Sequence, residues 1–303
     1  MLRSFFLFLS GQRYLRKWAE TSAIARKFSS RFVAGETLDD ALRVGRKVNS
    51  EGITLTLDHL GESVTSLAEA AEARDVYIRT LAAIHENGIY GNVSLKLTQF
   101  GLDLSEEQCR ANVTQLLEEA TRLRNFVRLD MESSAYTERT LSIVQELHAR
   151  FGAVGTVIQA YLYRSRKDLE NLCARRIRVR LVKGAYMEHP GVAFPRKADV
   201  DHNYVELMKL LLDRGEYPAI ATHDERVVNQ TKEYAAQRNI PADRFEFQML
   251  YGIRRDLQRR LVSEGYRLRL YVPFGMAWYP YFMRRLAERP ANVLFLARHA
   301  FRQ

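Results

Sequence analysis

Eight short runs rich in apolar and β-branched residues, separated by longer stretches of helical periodicity, limit what this chain can fold into more than any other feature. The runs are Ile53–Leu57, Val93–Leu97, Phe126–Met131, Thr156–Leu162, Ile177–Val182, Ala219–Thr222, Phe245–Met249 and Leu268–Val272. Between them, Leu67–Asn87, Glu106–Leu123, Thr137–Phe151, Val200–Leu212 and Glu225–Arg238 carry apolar residues three and four apart, as amphipathic helices do. Alternation of this kind implies a parallel sheet with crossover helices, because parallel strands need a long return connection. An open doubly wound sheet shows the same alternation. Eight units favour closure, so the expected fold is α/β, a distorted (β/α)8 TIM barrel with extra N-terminal helices. Residues 1–45 are expected to form an N-terminal helical segment and residues 46–303 the barrel, one domain overall.

Size and composition agree with that expectation. The 303 residues exceed the ~250 of a typical barrel, which leaves room for one extra segment. With 47% hydrophobic and 27% charged residues and no low-complexity tract, the chain is globular. Cys109 and Cys173 stand alone, without metal-ligand or redox spacing, so no metal is expected and a reducing, cytoplasmic setting is the default. The formal charge is +10, and residues 1–31 hold Arg3, Arg13, Arg16, Lys17, Arg26, Lys27 and Arg31 against Glu20 alone. The apolar run Phe5–Leu9 is shorter than a signal-peptide core and far shorter than the ~20 residues of a membrane span. Two readings of this basic, aromatic-containing stretch stand side by side. One is peripheral contact with an anionic membrane on its cytoplasmic face, and the other is a helix packed on the barrel with a solvated basic face.

Polar or ionisable residues sit at the ends of nearly all the strand-like runs: Asp58, Lys96, Asp130, Gln159, Arg180 with Lys183, Thr222 with His223, Gln248 and Tyr271. Barrel enzymes collect their chemistry at the C-terminal ends of the strands. Any one of these residues alone would more often be a satisfied structural group, but their convergence points to a pocket. Asp130 ends an apolar run and needs a cationic neighbour if buried. Lys96, at the equivalent end of the preceding run, is the candidate, either as a structural ion pair or as part of a site. Beyond the eighth run, Tyr281, Arg284, Arg285 and Glu288 share one helical face. Adjacent arginines suit bidentate capture of a carboxylate, and a solvated face with an Arg284–Glu288 pair is the plainer alternative. No Gly-x-Gly-x-x-Gly is present, so a Rossmann-type nucleotide site is not expected.

Several stretches carry a specific likeness. Ser94-Leu95-Lys96-Leu97, Arg128-Leu129-Asp130-Met131-Glu132, Gln159-Ala160-Tyr161-Leu162-Tyr163-Arg164 and Arg180-Leu181-Val182-Lys183-Gly184-Ala185-Tyr186 come first. Ala221-Thr222-His223-Asp224, Phe245 to Gly252, Arg269-Leu270-Tyr271-Val272-Pro273 and Tyr281 to Leu286 follow. In order and spacing, from about Phe32 to about Arg298, these resemble the strand-end motifs of the proline dehydrogenases, and in particular the monofunctional bacterial ones.

The resemblance implies FAD-dependent oxidation of L-proline to 1-pyrroline-5-carboxylate, by hydride transfer from proline C5 to the flavin, with electrons passed to a membrane quinone. It implies that Lys96, Arg284 and Arg285 meet the proline carboxylate, with Tyr281 beside the arginines, and that Tyr186, Leu250 and Tyr271 wall the ring. Asp130 borders the substrate, and Arg180 is placed near the flavin N5. FAD is implied to lie across the barrel mouth against Met131, Gln159, Arg180, Lys183, Gly184, Ala185, Thr222 and His223. Two places depart from the family pattern. Phe274 and Met276 stand where tyrosine and arginine are common around Gly275, and Ser133 stands where an acidic residue is usual. Two rival readings remain: a Schiff-base aldolase using Lys96 or Lys183, and a nucleic-acid-binding protein suggested by the pI near 9.6. The basic excess lacks a recognised nucleic-acid motif, so no nucleic-acid partner is expected. Oligomeric state is not fixed by the sequence.

Overall fold

The structure, a computed structural model, describes residues 30–61, 64–279, 281 and 283. Helix α1 (Leu38–Ser50) starts where Thr37 and Asp40 cap one another: each side chain accepts the other's backbone N–H at 3.2 Å. That reciprocal bond satisfies donors the first turn otherwise leaves unpaired. It precedes the first strand and spans the expected division at 45/46.

The alternating elements then follow in order: β1 (Thr54–His59), α2 (Leu67–Glu86), β2 (Gly91–Leu95), α3 (Glu106–Arg122), β3 (Val127–Leu129), α4 (Thr137–Phe151), β4 (Val154–Gln159) and α5 (Ser165–Ala174). They continue with β5 (Val179–Val182), α6 (Lys197–Arg214), β6 (Ala219–Ala221), α7 (Glu225–Gln237), β7 (Glu246–Leu250), α8 (Arg255–Ser263) and β8 (Leu268–Phe274). The strands pair in sequence order, all parallel, and β8 closes on β1 from Thr54↔Arg269 to His59↔Phe274. The expected barrel is therefore present, with the helix α1 ahead of it.

Boundaries differ from the apolar runs for local reasons. The third run ends as strand at Leu129, and Asp130 follows with its N–H still bonded to Leu95 O at 2.8 Å. The fourth begins at Val154, where Gly155 lets two strands approach: a Cβ there would meet the Arg178 carbonyl oxygen at 2.3 Å. Helices α5 and α8 run only 10 and 9 residues, too few turns for their periodicity to stand out.

The apolar core lies between the barrel and its helices, not inside the barrel. Leu55 and Leu57 of β1, Val93 and Leu95 of β2, Val127 and Leu129 of β3 and Phe247 of β7 are fully buried in it. Residues alternate in direction along a strand, so the intervening positions face the lumen. Those positions are Thr56 and Asp58, Asn92 and Ser94, Arg128, Glu246 and Gln248, with Arg269 and Tyr271. This polar interior carries the site. Among the described residues no helix is long and apolar enough to cross a membrane.

Candidate active site

The lumen side chains bond across strands that are not neighbours, which only an enclosed interior permits. Asp130, just past β3, is the hub. Its Oδ1 accepts from Ser94 Oγ on β2 at 2.6 Å and from Arg180 Nη1 on β5 at 2.8 Å, and its Oδ2 accepts from the Tyr271 hydroxyl on β8 at 2.8 Å. The Arg180 and Asp130 side chains are only 6% and 13% exposed, so this pair is largely desolvated. Such a pair costs much to assemble and more to break on one side. Burial first, and Asp130 next, hold the Tyr271 hydroxyl well above its usual pKa, so it remains a donor.

Lys96 does not pair with Asp130, as the sequence led us to expect. Its ammonium lies 3.4 Å from both oxygens of Asp58, whose Oδ1 also receives the Tyr77 hydroxyl at 3.2 Å. Both carboxylates end strands that adjoin the Lys96 strand, but Asp130 is already taken by the Arg180 guanidinium and the Tyr271 hydroxyl, which reach it across the lumen. Burial alone would lower the Lys96 pKa, but Asp58 and Asp130 outweigh it and the net shift is upward. Lys183 is likewise paired, with Asp201 at 2.5 Å and Asp224 at 3.6 Å. A Schiff-base lysine needs a neutral amine, which the upward shift at Lys96 disfavours.

Arg180 is held on three sides. Its Nε donates to Gln248 Oε1 at 2.5 Å, its Nη1 to Asp130, and its guanidinium lies 5.2 Å from the Tyr271 ring centre. Nη2 is buried with no acceptor among the described residues. A buried donor without a partner is rare and calls for an anionic or carbonyl group.

The remaining residues expected at a cofactor lie around the same rim, at the ends of β3, β4, β5 and β6 and in the turns after them. Gln159 is buried, and its Nε2 donates to Glu132 O at 2.8 Å. The Thr222 hydroxyl accepts the Asp224 N–H at 3.0 Å, and His223 Nε2 accepts the Leu250 N–H at 2.9 Å, which puts the neutral ring's proton on Nδ1. Gly184 has φ +115°, and a Cβ there would come 2.4 Å from the Tyr161 ring, so this bend after β5 admits only glycine. Met131 is buried, Leu250 half-buried, and Ala185 and Tyr186 exposed. Tyr281 is buried with Val33, Leu60, Trp278 and Tyr279. Arg284, Arg285 and Glu288 lie outside the described residues. Met276, the departure from the family pattern, is exposed, and Ser133 caps a short turn whose Ser134 N–H is accepted by Glu188 at 2.7 Å.

An unpartnered guanidinium N–H, an amide and a hydroxyl on one rim, with glycine where the backbone turns closely, form a donor-rich set that fits a flavin's carbonyl and phosphate oxygens. Sequence reading missed Asp58 as the partner of Lys96. It also missed the interior layer of Asn92, Glu246 and Arg269. The signal was present: strands buried on both faces usually read as continuous apolar runs, and these alternate.

The sequence model of one protein family, described as proline dehydrogenase, matches residues 41–298. A Bacillus subtilis subsp. natto protein named proline dehydrogenase 1 is 45% identical over 296 residues, covering 98% of each chain. A Deinococcus radiodurans proline dehydrogenase is 44% identical over 273 residues, 88% of each. Among solved structures, proline utilization A from Bdellovibrio bacteriovorus inactivated by N-propargylglycine superposes with a TM-score of 0.81 at 29% identity. That match covers 86% of this chain and 32% of the other, so this chain spans about a third of that structure.

Proposed function

The chain belongs to the proline dehydrogenase family, and from that premise we infer that the polar ring where its strands end is the reaction site. The protein oxidises L-proline to 1-pyrroline-5-carboxylate with FAD and passes the electrons to a quinone. Bound FAD supplies the two-electron acceptor for the C5–H bond of proline. The observation that carries the site assignment is Arg180, held by Asp130, Gln248 and the Tyr271 ring with its buried Nη2 left without an acceptor among the described residues.

The chain's own residues bind and orient. The upward-shifted Lys96 keeps its charge and offers it to the proline carboxylate, joined by Arg284 and Arg285 with Tyr281 beside them. Tyr186, Leu250 and Tyr271 wall the pyrrolidine ring. Fixing the carboxylate leaves the ring little freedom to turn away, which is the main catalytic contribution asked of the protein. Arg180 places a fixed cation where electron density accumulates, so no reorganisation is needed during the reaction. Asp130 touches both Arg180 and Tyr271 and keeps cation and wall in register. Met131, Gln159, Arg180, Lys183, Gly184, Ala185, Thr222 and His223 hold the cofactor, with Lys183 exchanging Asp201 or Asp224 for a phosphate.

The barrel, residues 46–303, is the catalytic unit in this reading, and the +6 charge of residues 1–31 adds peripheral contact with anionic lipid, where the quinone resides. The purified protein should be yellow and bleach on adding L-proline without oxygen. A colourless protein, or one whose visible spectrum ignores proline, overturns the reading. Sedimentation with anionic but not neutral vesicles tests the membrane contact.

A further inference from the structure

We propose that Glu246 is a positioning residue for this reaction, setting the orientation of Arg180 through the side-chain amide of Gln248. The proposal rests on the assignment of Arg180 to the flavin and adds a residue two steps away from it, low in the barrel on β7. Glu246 and Gln248 are 2% and 3% exposed and both face the lumen. Arg269 Nε donates to Glu246 Oε1 at 2.8 Å, and Arg269 Nη1 is anchored at 2.9 Å on both Leu55 O and Asn92 Oδ1. Gln248 Nε2 donates to that same Glu246 oxygen, while Gln248 Oε1 accepts from Arg180 Nε at 2.5 Å.

A side-chain amide has a donor end and an acceptor end of nearly equal shape, and only its neighbours decide which way it faces. Here the decision belongs to Glu246. A carboxylate only accepts, so it takes the NH2 end and turns the oxygen toward Arg180. Burial by itself would raise the Glu246 pKa, but Arg269, Gln248 and Arg128 lower it overall, so the group is ionised. With Nε given to Gln248 and Nη1 to Asp130, the guanidinium plane is set and Nη2 is the nitrogen left without an acceptor among the described residues. Were Gln248 reversed, its NH2 would face a guanidinium that has only donors. Arg180 would then swing about its Asp130 contact and Nη2 would leave its place.

The test uses the full-length, FAD-loaded protein and two variants. Glu246→Gln can offer an NH2 to Gln248 and so permits the reversal. Gln248→Leu cuts the relay and leaves the Glu246–Arg269 bond intact. Each should lower the midpoint potential of the bound flavin by ~30 mV, the two-electron equivalent of tenfold. Anaerobic reduction by proline should slow roughly tenfold, with proline KM within about twofold of wild type, since one misplaced hydrogen bond of this kind is worth ~1.4 kcal/mol. The double variant should shift the potential no further than either single one, because both act on one path. If Glu246→Gln keeps the wild-type potential and loses only thermal stability, Glu246 merely neutralises Arg269 and the proposal fails. Should that variant not fold, Gln248→Leu decides alone: an unshifted potential overturns the idea. The potential is measured by reductive titration without proline, so it reads Glu246 whatever the substrate. Bleaching of the wild type by proline reports separately on the reaction.

Discussion

The Tyr271 hydroxyl donates to Asp130 Oδ2 at 2.8 Å, which ties the last strand of the barrel to the carboxylate that holds Arg180. Removing only that hydroxyl, as in Tyr271→Phe, leaves Asp130 with Ser94 and Arg180 as its donors. The expected cost is ~1–3 kcal/mol, the range for depriving a buried acceptor of one bond. Because the ring stays, the shape of the pocket wall should not change. We therefore expect a lower Tm and slower flavin reduction, with the ratio of kcat/KM for proline over 4-hydroxyproline unaltered. A Tyr271→Phe protein as stable and as fast as wild type would show that this bond organises nothing.

Asp58 is the largest of the charges that raise the Lys96 pKa, which predicts a pH signature. Burial pulls the Lys96 pKa down while Asp58 and Asp130 push it up, with an upward balance. Asp58→Asn removes one upward influence and keeps an acceptor for the Tyr77 hydroxyl. The ammonium should then lose its proton at lower pH than in the wild type. In a profile of kcat/KM between about pH 7 and 10.5, the alkaline limb should move toward neutrality, since the reference lysine value is ~10.4. At neutral pH a proline KM roughly tenfold higher is expected, less than for a fully buried pair because Lys96 is partly solvated. An alkaline limb that stays in place would separate Asp58 from the charge on Lys96.

Most of the architecture was legible in the sequence because two periodicities alternate eight times, and each apolar run became a strand. The ends of the runs were less legible: Asp130 and Met131 fall within the third run but lie past the strand's last residue, Leu129, with the Asp130 N–H the last bond to β2. The rim was read from polar residues that end apolar runs, which is how Asp130, Arg180 and Gln248 stood out. Pairings were not readable, since they depend on how far a side chain reaches across a lumen whose register no single strand encodes. Lys96 is the instance: its strand is flanked by β1 with Asp58 and β3 with Asp130, and only the structure shows that Arg180 and Tyr271 occupy Asp130 while Lys96 turns to Asp58. Glu246 and Arg269 were passed over because they sit one turn of the pleat below the strand ends, where attention to the rim does not extend. Their alternation with Phe247 and Leu270 marks the polar lumen.

The two cysteines give a test of the packing that is independent of catalysis. Cys109 is fully buried on α3 against the end of β2, and Cys173 on α5 is nearly so. Burial pushes their thiols up to about 12 and about 11. Both should therefore ignore a thiol reagent at pH 8 in the folded protein and both should react after unfolding. A linked pH effect follows. A thiol whose folded pKa is raised favours folding fully below its unfolded value of ~8.5, and that contribution is lost as pH rises toward the folded value. Stability should thus fall between about pH 8.5 and 11, and a Cys109→Ser, Cys173→Ser protein should lose less over the same interval. Rapid labelling of the folded wild type at pH 8 would contradict the burial of these thiols.

If Tyr271 walls the substrate as proposed, substrate choice should follow from its ring and not from its hydroxyl. With its hydroxyl fixed on Asp130 and its face packed 5.2 Å from the Arg180 guanidinium, the ring has no free rotation by which to yield space. The family resemblance sets this ring against proline near C4, so an added hydroxyl there meets aromatic carbon. An apolar wall rejects one extra hydroxyl only modestly, so discrimination against 4-hydroxyproline on the order of a hundredfold is expected. Tyr271→Ser should admit the hydroxyl and loosen proline, narrowing the ratio of kcat/KM from both sides. It also deprives Asp130 of the tyrosine's donor, so kcat should fall for both substrates alike, and the ratio rather than either rate is the measure. A wild type that prefers 4-hydroxyproline, or a serine variant with undiminished preference for proline, would place the determinant of specificity elsewhere than Tyr271.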